Sequence, residues 1–248
     1  MVTNMKNKKT LKVIGVIHAR GGSTRIPLKN IKPLGEKPLI AYMIGAALDS
    51  CLIDRVVVST DHPEIKEVSL KFGAEVPFDR PAEFSWDCPS ELVTQHAVNF
   101  IEDEQGEDVD IAVTMQPTTP FCLGSDIDTC ISMLQQNPGW DSVFSAKIVM
   151  ERPEWMFKID EETSSGYLLM GEILQGETGV VQTLPKLVIP NGGIYATRRK
   201  ALFEKNVIIA PDTGVHVMPL ARSVDIDEPI DFEFAEFIAN KMEEEKNG

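Results

Sequence analysis

The 248-residue chain has no run of eighteen consecutive apolar residues, so no segment of its sequence reads as a membrane-spanning helix. Met1 to Lys9 carries basic residues but no apolar core or cleavage site after them, so no secretory leader is read there. The expectation is a cytoplasmic protein with no membrane partner and with residues 1–10 as a flexible N-terminus. Cysteine is scarce: Cys51, Cys88, Cys122 and Cys130 show no C-x-x-C spacing, which excludes a zinc knuckle or a disulfide framework and leaves free thiols. Positive charge is also short, with 24 Lys and Arg against 38 Asp and Glu, a net charge of −14 and a pI near 4.7. A nucleic-acid surface needs a basic footprint, so no nucleic-acid partner is expected. His18, His62, His96 and His216 form no metal or triad spacing, and Ser23 and Ser59 lack the strand-turn-helix setting of a nucleophile, so no covalent intermediate is implied. Internal repeats and low-complexity tracts are absent.

What remains is ordinary globular composition, 43% hydrophobic and 25% charged, in a chain long enough for one large core. Strand-like runs recur at Lys12 to Ile17, Arg55 to Ser59, Asp110 to Met115 and Asp141 to Ala146. Helical patterns fall between them at Leu39 to Cys51, Pro63 to Phe72, Ser90 to Glu102 and Asp126 to Gln136. This alternation predicts an α/β fold with right-handed crossovers and a largely parallel sheet. Ligands of such sheets lie beyond the carboxyl ends of the strands, where the sequence places the 18–30 loop, Asp61 and Gln116. From Met150 to Leu187 the pattern gives way to mixed polar and aromatic sequence with Gly166, Gly171, Gly176 and Gly179. This stretch reads as a β-rich excursion of a single domain spanning residues 11–248, because it is too short for its own core.

The sharpest feature is His18-Ala19-Arg20-Gly21-Gly22-Ser23-Thr24-Arg25-Ile26-Pro27-Leu28-Lys29-Asn30, which follows a short apolar strand. Gly21 and Gly22 can adopt positive φ and bring backbone N–H groups close to an anion. Arg20, Arg25 and Lys29 surround the same concavity, and a guanidinium fork suits phosphate oxygens. The loop is neither a Walker A sequence nor a G-x-G-x-x-G dinucleotide motif. Asp225 and Asp227 are one residue apart after a strand-like Val217 to Val224 region, so extended geometry puts both carboxylates on one face. Two such oxygen ligands suit Mg²⁺, which completes its shell with water and substrate phosphates. The alternative is a solvent-facing acidic turn with Asp227 capping the helix that starts near Pro229.

With its continuation to Ile40, the 18–30 loop resembles the signature of the acylneuraminate cytidylyltransferase (CMP-sialic acid synthetase) family. The likeness continues in order through Val57-Val58-Ser59-Thr60-Asp61, Gly73 to Phe78, Arg80-Pro81-Ala82-Glu83, Gln116-Pro117-Thr118-Thr119-Pro120, Asn191-Gly192-Gly193-Ile194-Tyr195 and Asp225-Ile226-Asp227. The resemblance implies a three-layer, Rossmann-like domain of the nucleotide-diphospho-sugar transferase kind, with a small β-rich dimerisation arm at 150–187 and a homodimer. It implies CTP as co-substrate and a 2-keto-3-deoxy sugar acid as acceptor, joined with release of pyrophosphate. Ala19, Gly21, Gly22, Ser23, Arg25, Asn30 and Arg80 would surround the nucleotide, and Arg20 and Lys29 would hold the triphosphate. Gln116 and Asn191 would meet the acceptor, and Asp225 and Asp227 would bind Mg²⁺. Two places depart from the family pattern. Phe84 to Ser90 is not a small-residue run, and Ile189 stands where an arginine associated with the sugar carboxylate is common, leaving Lys186, Arg198 or Arg152 to replace it. Related acceptors, 3-deoxy-octulosonate or a phosphonate, and a non-catalytic nucleotide-sensing dimer are the alternatives.

Overall fold

The computed structural model describes residues 11–149, 151–170 and 185–247; residues 1–10, the expected flexible N-terminus, lie outside them. The chain order is β1 (Val13–His18), β2 (Pro33–Leu34), β3 (Lys37–Pro38), α1 (Leu39–Leu48), β4 (Arg55–Ser59), α2 (Pro63–Lys71), α3 (Ser90–Asn99) and β5 (Ile111–Met115). There follow α4 (Gly124–Gln136), β6 (Ser142–Ile148), β7 (Phe157–Ile159), β8 (Gly166–Leu168), β9 (Val188–Arg198), β10 (Thr213–Val217) and α5 (Pro229–Asn247). Contacts divide the described chain into a large unit, 1–146 with 190–248, and a small one, 147–189.

The large unit is built on a six-stranded sheet of order β10-β6-β9-β5-β1-β4. β1 reads as an unbroken apolar run because both of its faces are covered. Alternate residues separate the two faces: Val13 and Ile17 join Met43 and Ile44 of α1, Ile65 of α2 and Ile127 of α4, while Ile14 and Val16 join Ala97 and Val98 of α3. Helices on both faces make the three layers that the sequence implied. β1 runs parallel to β4 (His18 beside Ser59) and to β5 (Ile17 beside Met115), so the strand ends that emit the 18–30 loop, Asp61 and Gln116 are neighbours. β9 runs antiparallel to β5, pairing Met115 with Ile194. That strand was not among the expected elements. The expected strand before Asp225 is also displaced: β10 ends at Val217, and Pro219, which has no N–H to give a ladder, opens a single turn over Leu220–Arg222. No helix among the described residues is long and apolar enough to cross a membrane.

In the small unit β7 and β8 form an antiparallel hairpin, Phe157 opposite Leu168. Its described part is β-rich as expected, and the rest of the excursion, 150 and 171–184, lies outside the described residues. Phe157, Ile159 and Tyr167 are exposed on this hairpin.

Candidate active site

The ends of β1 and β5 open into a cavity of about 280 Å³, whose wall does not include Asp61 after β4. Arg20, Ser23, Thr24, Arg25, Lys29 and Asn30 line it from the glycine loop, Gln116, Pro117 and Thr118 from the loop after β5, and Asp225 and Asp227 from the segment before α5. Residues distant in sequence, three cations and two carboxylates among them, therefore face one space.

The glycine loop is closed on itself by Asn30, which is buried and donates from Nδ2 to the Arg20 carbonyl at 2.9 Å. Asn30 thus lines the cavity and also fixes the loop around it. Gly21 and Gly22 do not take positive φ; the left-handed residue of this loop is Leu28, at φ 49°. Gly21 is required for a different reason. A Cβ there would lie 2.7 Å from His62 Cδ2, whereas a Cβ on Gly22 would meet nothing within 4 Å. The Gly21 N–H donates to Asp61 Oδ1 at 2.8 Å, so in this state that amide faces a carboxylate. Each loop cation also holds a carboxylate. Arg20 pairs with Asp87 at 3.2 Å, Arg25 with Glu228 at 2.7 Å and Lys29 with Asp227 at 3.6 Å. The first two pairs are largely exposed and worth little stability, so a polyanion can displace the carboxylates at small cost. Lys29 also donates to the Ile226 carbonyl, which ties the basic loop to the acidic segment.

Asp225 and Asp227 project to the cavity because Ile226 between them is fully buried with Phe121, Phe232 and Ala235, and its N–H donates to Thr118 O at 2.9 Å. Burial of such a side chain contributes about 1.5–3 kcal/mol, enough to fix the alternation without a β-strand. Asp227 does not cap α5 with its side chain; its own N–H instead donates to Asp231 Oδ2 at 3.0 Å. Tyr195, on β9, has its phenol pushed up to about 12 by burial and by the charge of Asp225.

Arg80, Asn191, Ala19, Gly21 and Gly22 are not in the cavity wall. Arg80 is buried beneath it, donating to Ser59 Oγ at 3.0 Å and Ser59 O at 2.6 Å, and desolvation lowers its guanidinium to about 10. Asn191 is fully buried: Oδ1 accepts from Ser145 Oγ at 2.6 Å, and Nδ2 donates to Ser223 Oγ at 3.0 Å. Ala19 is buried with its N–H on Ser59 O. Of the three replacements considered for the missing arginine, Lys186 is exposed and the two arginines are engaged within their own units. Arg198 donates to Trp140 O and Leu134 O, and Arg152 to Pro185 O and Glu154. Composition and spacing did not single out Trp86, Asp87, Cys88, Ser90 and Val93, which complete the wall with His18; the departure at Phe84 to Ser90 was their one signal.

A mostly parallel sheet carrying a basic, glycine-containing loop opposite paired carboxylates defines a nucleotidyltransferase class of α/β protein. A family profile described as cytidylyltransferase matches residues 14–159, and the chain belongs to that family. It is 32% identical over 227 residues, 91% of this chain and 95% of the relative, to the CMP-N,N'-diacetyllegionaminic acid synthase of Legionella pneumophila. It is also 32% identical over 234 residues, 92% of this chain and 96% of the relative, to the pseudaminic acid cytidylyltransferase of Campylobacter jejuni. The N-acylneuraminate cytidylyltransferase A of Danio rerio is 33% identical over 94% of this chain and 52% of the relative. A solved structure of a CMP:2-keto-3-deoxy-manno-octonic acid synthetase complexed with CTP aligns with a TM-score of 0.65 at 20% identity, covering 93% of this chain and 99% of that one, which shows the shared fold.

Proposed function

We propose that the chain transfers CMP from CTP to the anomeric hydroxyl of a nonulosonic, sialic-acid-like sugar acid. The hydroxyl oxygen attacks the α-phosphorus, the bond from that phosphorus to the β-phosphate oxygen breaks, pyrophosphate leaves and the hydroxyl proton is released. The observation that carries this reading is the single cavity in which Arg20, Arg25 and Lys29 face Asp225 and Asp227. Such a transfer rests on positioning and charge neutralisation rather than on a covalent enzyme intermediate. Arg20 and Lys29 would hold the departing pyrophosphate, and Gln116 sits on the cavity wall where an acceptor sugar would lie.

The donor set also fits magnesium. Among the described residues no cluster of three or more His, Cys, Asp or Glu is present to cage a metal, but two carboxylates beside a triphosphate site are what Mg²⁺ uses. Held by Asp225 and Asp227, the ion would supply neutralisation at the α-phosphate. We further propose a homodimer in the cytoplasm, supported by the exposed Phe157, Ile159 and Tyr167, an apolar set that another copy would cover.

The test is pyrophosphate release from CTP with N,N'-diacetyllegionaminate, pseudaminate, N-acetylneuraminate and 3-deoxy-octulosonate, with and without chelator. Release with a nonulosonic acid, abolished by chelator and restored by Mg²⁺, is expected. Ile189 stands where the sialic acid synthetase pattern has an arginine, so N-acetylneuraminate should have the lower kcat/KM of the nonulosonic acids. Release with 3-deoxy-octulosonate alone would overturn the acceptor, and no release with any acid would overturn the activity.

A further inference from the structure

Asp126 has no part in the site described above, yet it is a carboxylate with only 3% of its surface exposed. It stands in the first turn of α4, where its Oδ2 accepts the Leu123 N–H at 2.9 Å. Two further side chains converge on it from distant parts of the chain. His216 Nε2, on β10, lies 3.0 Å from its Oδ1, and Arg222 Nη1 donates to its Oδ2. Burial pushes the carboxyl up, but the contacts from His216, Leu123 and Arg222 outweigh it and hold the group below its ordinary value. A buried charge of this kind is tolerated only with its partners in place, so the positions of Asp126 and Arg222 are fixed together.

Arg222 closes the single turn that Pro219 opens and directly precedes Ser223-Val224-Asp225. Residues 223–228 lie in no helix or strand, so no backbone ladder places Asp225 and Asp227. Side-chain anchors take its place. Val224 and Ile226 are buried with Phe232 and Ala235 of α5, Ser223 is held by Asn191, and the Ile226 N–H donates to Thr118 O. Lys29–Asp227 and Arg25–Glu228 reach the same stretch from the glycine loop, and both pairs are drawn on when those cations turn to a triphosphate. The Arg222–Asp126 pair lies outside the cavity wall and is untouched by that exchange.

We propose that Asp126 is a positioning residue for the transfer: through Arg222 it fixes the start of the acidic segment and so keeps Asp225 and Asp227 at the cavity when the basic loop turns to phosphate. This inference rests on the reading that the cavity performs cytidylyl transfer. His216 supplies the internal control. It shares the same carboxylate but comes from β10, which packs against α4, and not from the segment that carries Asp225. Losing His216 weakens that packing and leaves the Arg222 anchor in place.

The test compares Asp126→Asn, Arg222→Met, Arg222→Lys and His216→Leu with the wild type. It reads the thermal midpoint, kcat and the KM for CTP at saturating Mg²⁺, and the binding of Mn²⁺ in the presence of CTP by electron paramagnetic resonance. Asp126→Asn and Arg222→Met should each lower kcat at least tenfold and weaken Mn²⁺ binding at least fivefold, with the KM for CTP within threefold of the wild type because the glycine loop is unchanged. Arg222→Lys, which keeps a cation for Asp126, should recover most of the lost kcat. The Asp126→Asn, Arg222→Met double variant should be no slower than the slower single one, since both act through one contact. His216→Leu should lower the thermal midpoint and keep kcat within twofold. Wild-type kcat and Mn²⁺ binding in Arg222→Met overturn the proposal even if Asp126→Asn does not fold, and so does a His216→Leu variant that loses kcat as Arg222→Met does. A wild type that releases no pyrophosphate from CTP with any of the sugar acids would instead overturn the transfer reading on which the proposal stands.

Discussion

Gly192 lies so close under Asp225 that a methyl group on it would sit 2.9 Å from Asp225 Oδ2. Its φ of +80° is in the left-handed region, where a Cβ adds about 1–2 kcal/mol. Gly192→Ala should therefore push the Asp225 carboxylate out of position as well as strain the backbone. Turnover is expected to fall at least tenfold while the melting temperature falls by only a few degrees. A variant with wild-type kcat would show that Asp225 is not held by this contact.

Lys29 lines the cavity and is tied to the acidic segment by its contacts to Ile226 O and Asp227, and in the proposed reaction it would hold the triphosphate. Removing a charge-assisted contact to phosphate costs about 1.5–3 kcal/mol. Calorimetric titration of Lys29→Ala with CTP should show at least tenfold weaker binding. Equal affinity would place the triphosphate elsewhere.

Asn191 joins Ser145 of β6 to Ser223, two residues ahead of Asp225. Its backbone carbonyl accepts from Thr119 Oγ1 at 2.8 Å, bringing in the loop after Gln116. In Asn191→Ala the Ser145 and Ser223 hydroxyls and the Gly193 N–H lose the amide as a partner inside the protein. The expected loss is about 1–3 kcal/mol for each group left unsatisfied, read as a lower midpoint in denaturant. If stability is unchanged and only the acceptor KM rises, the side chain contacts the sugar and not the framework.

The partly buried His18, whose pKa is lowered by desolvation and by Arg80, predicts an acid-side loss of stability. Its pKa is lowered from 6.5 to about 3, so below 6.5 the unfolded chain takes up a proton that the folded chain does not. The contribution is fully present above 6.5 and is lost as pH falls toward 3. One such group gives a slope of about 1.4 kcal/mol per pH unit in that window. His96, whose pKa is also lowered by burial, adds to it. His18→Leu should have a shallower slope between pH 6 and about 4 by roughly one proton. Parallel profiles for the variant and wild type would mean that His18 is protonated in the fold.

The parallel framework is legible in sequence wherever a strand is covered on both faces. Arg55–Ser59 is found where the apolar run predicts it, β1 is shifted by one residue at both ends, and β5 starts one residue later than expected. β9 escapes because its inner part begins Pro190-Asn191-Gly192-Gly193, residues that read as a turn, and its partner β5 is nearly eighty residues earlier in sequence. The cations and carboxylates of the site are equally legible, since like charges gathered on a loop need an anion. Burial is not. Arg80 and Asn191 are polar residues in recognisable motifs, yet their hydrogen bonds go to Ser59 and to Ser145 and Ser223 within the protein. His18 gives the opposite lesson: without a spaced partner it reads as a packed ring, and only Thr94, distant in sequence, orients it toward the cavity.

The central claim is that transfer takes place between the basic loop and the Asp225/Asp227 pair, and the measurement that tests it most directly is pyrophosphate release by the Asp225→Asn, Asp227→Asn double variant in Mg²⁺. Asn keeps an oxygen in place without the charge that holds a divalent ion. The account predicts a folded protein with a near wild-type melting temperature and at least a thousandfold lower kcat with CTP and a nonulosonic acid. Release at the wild-type rate would contradict it.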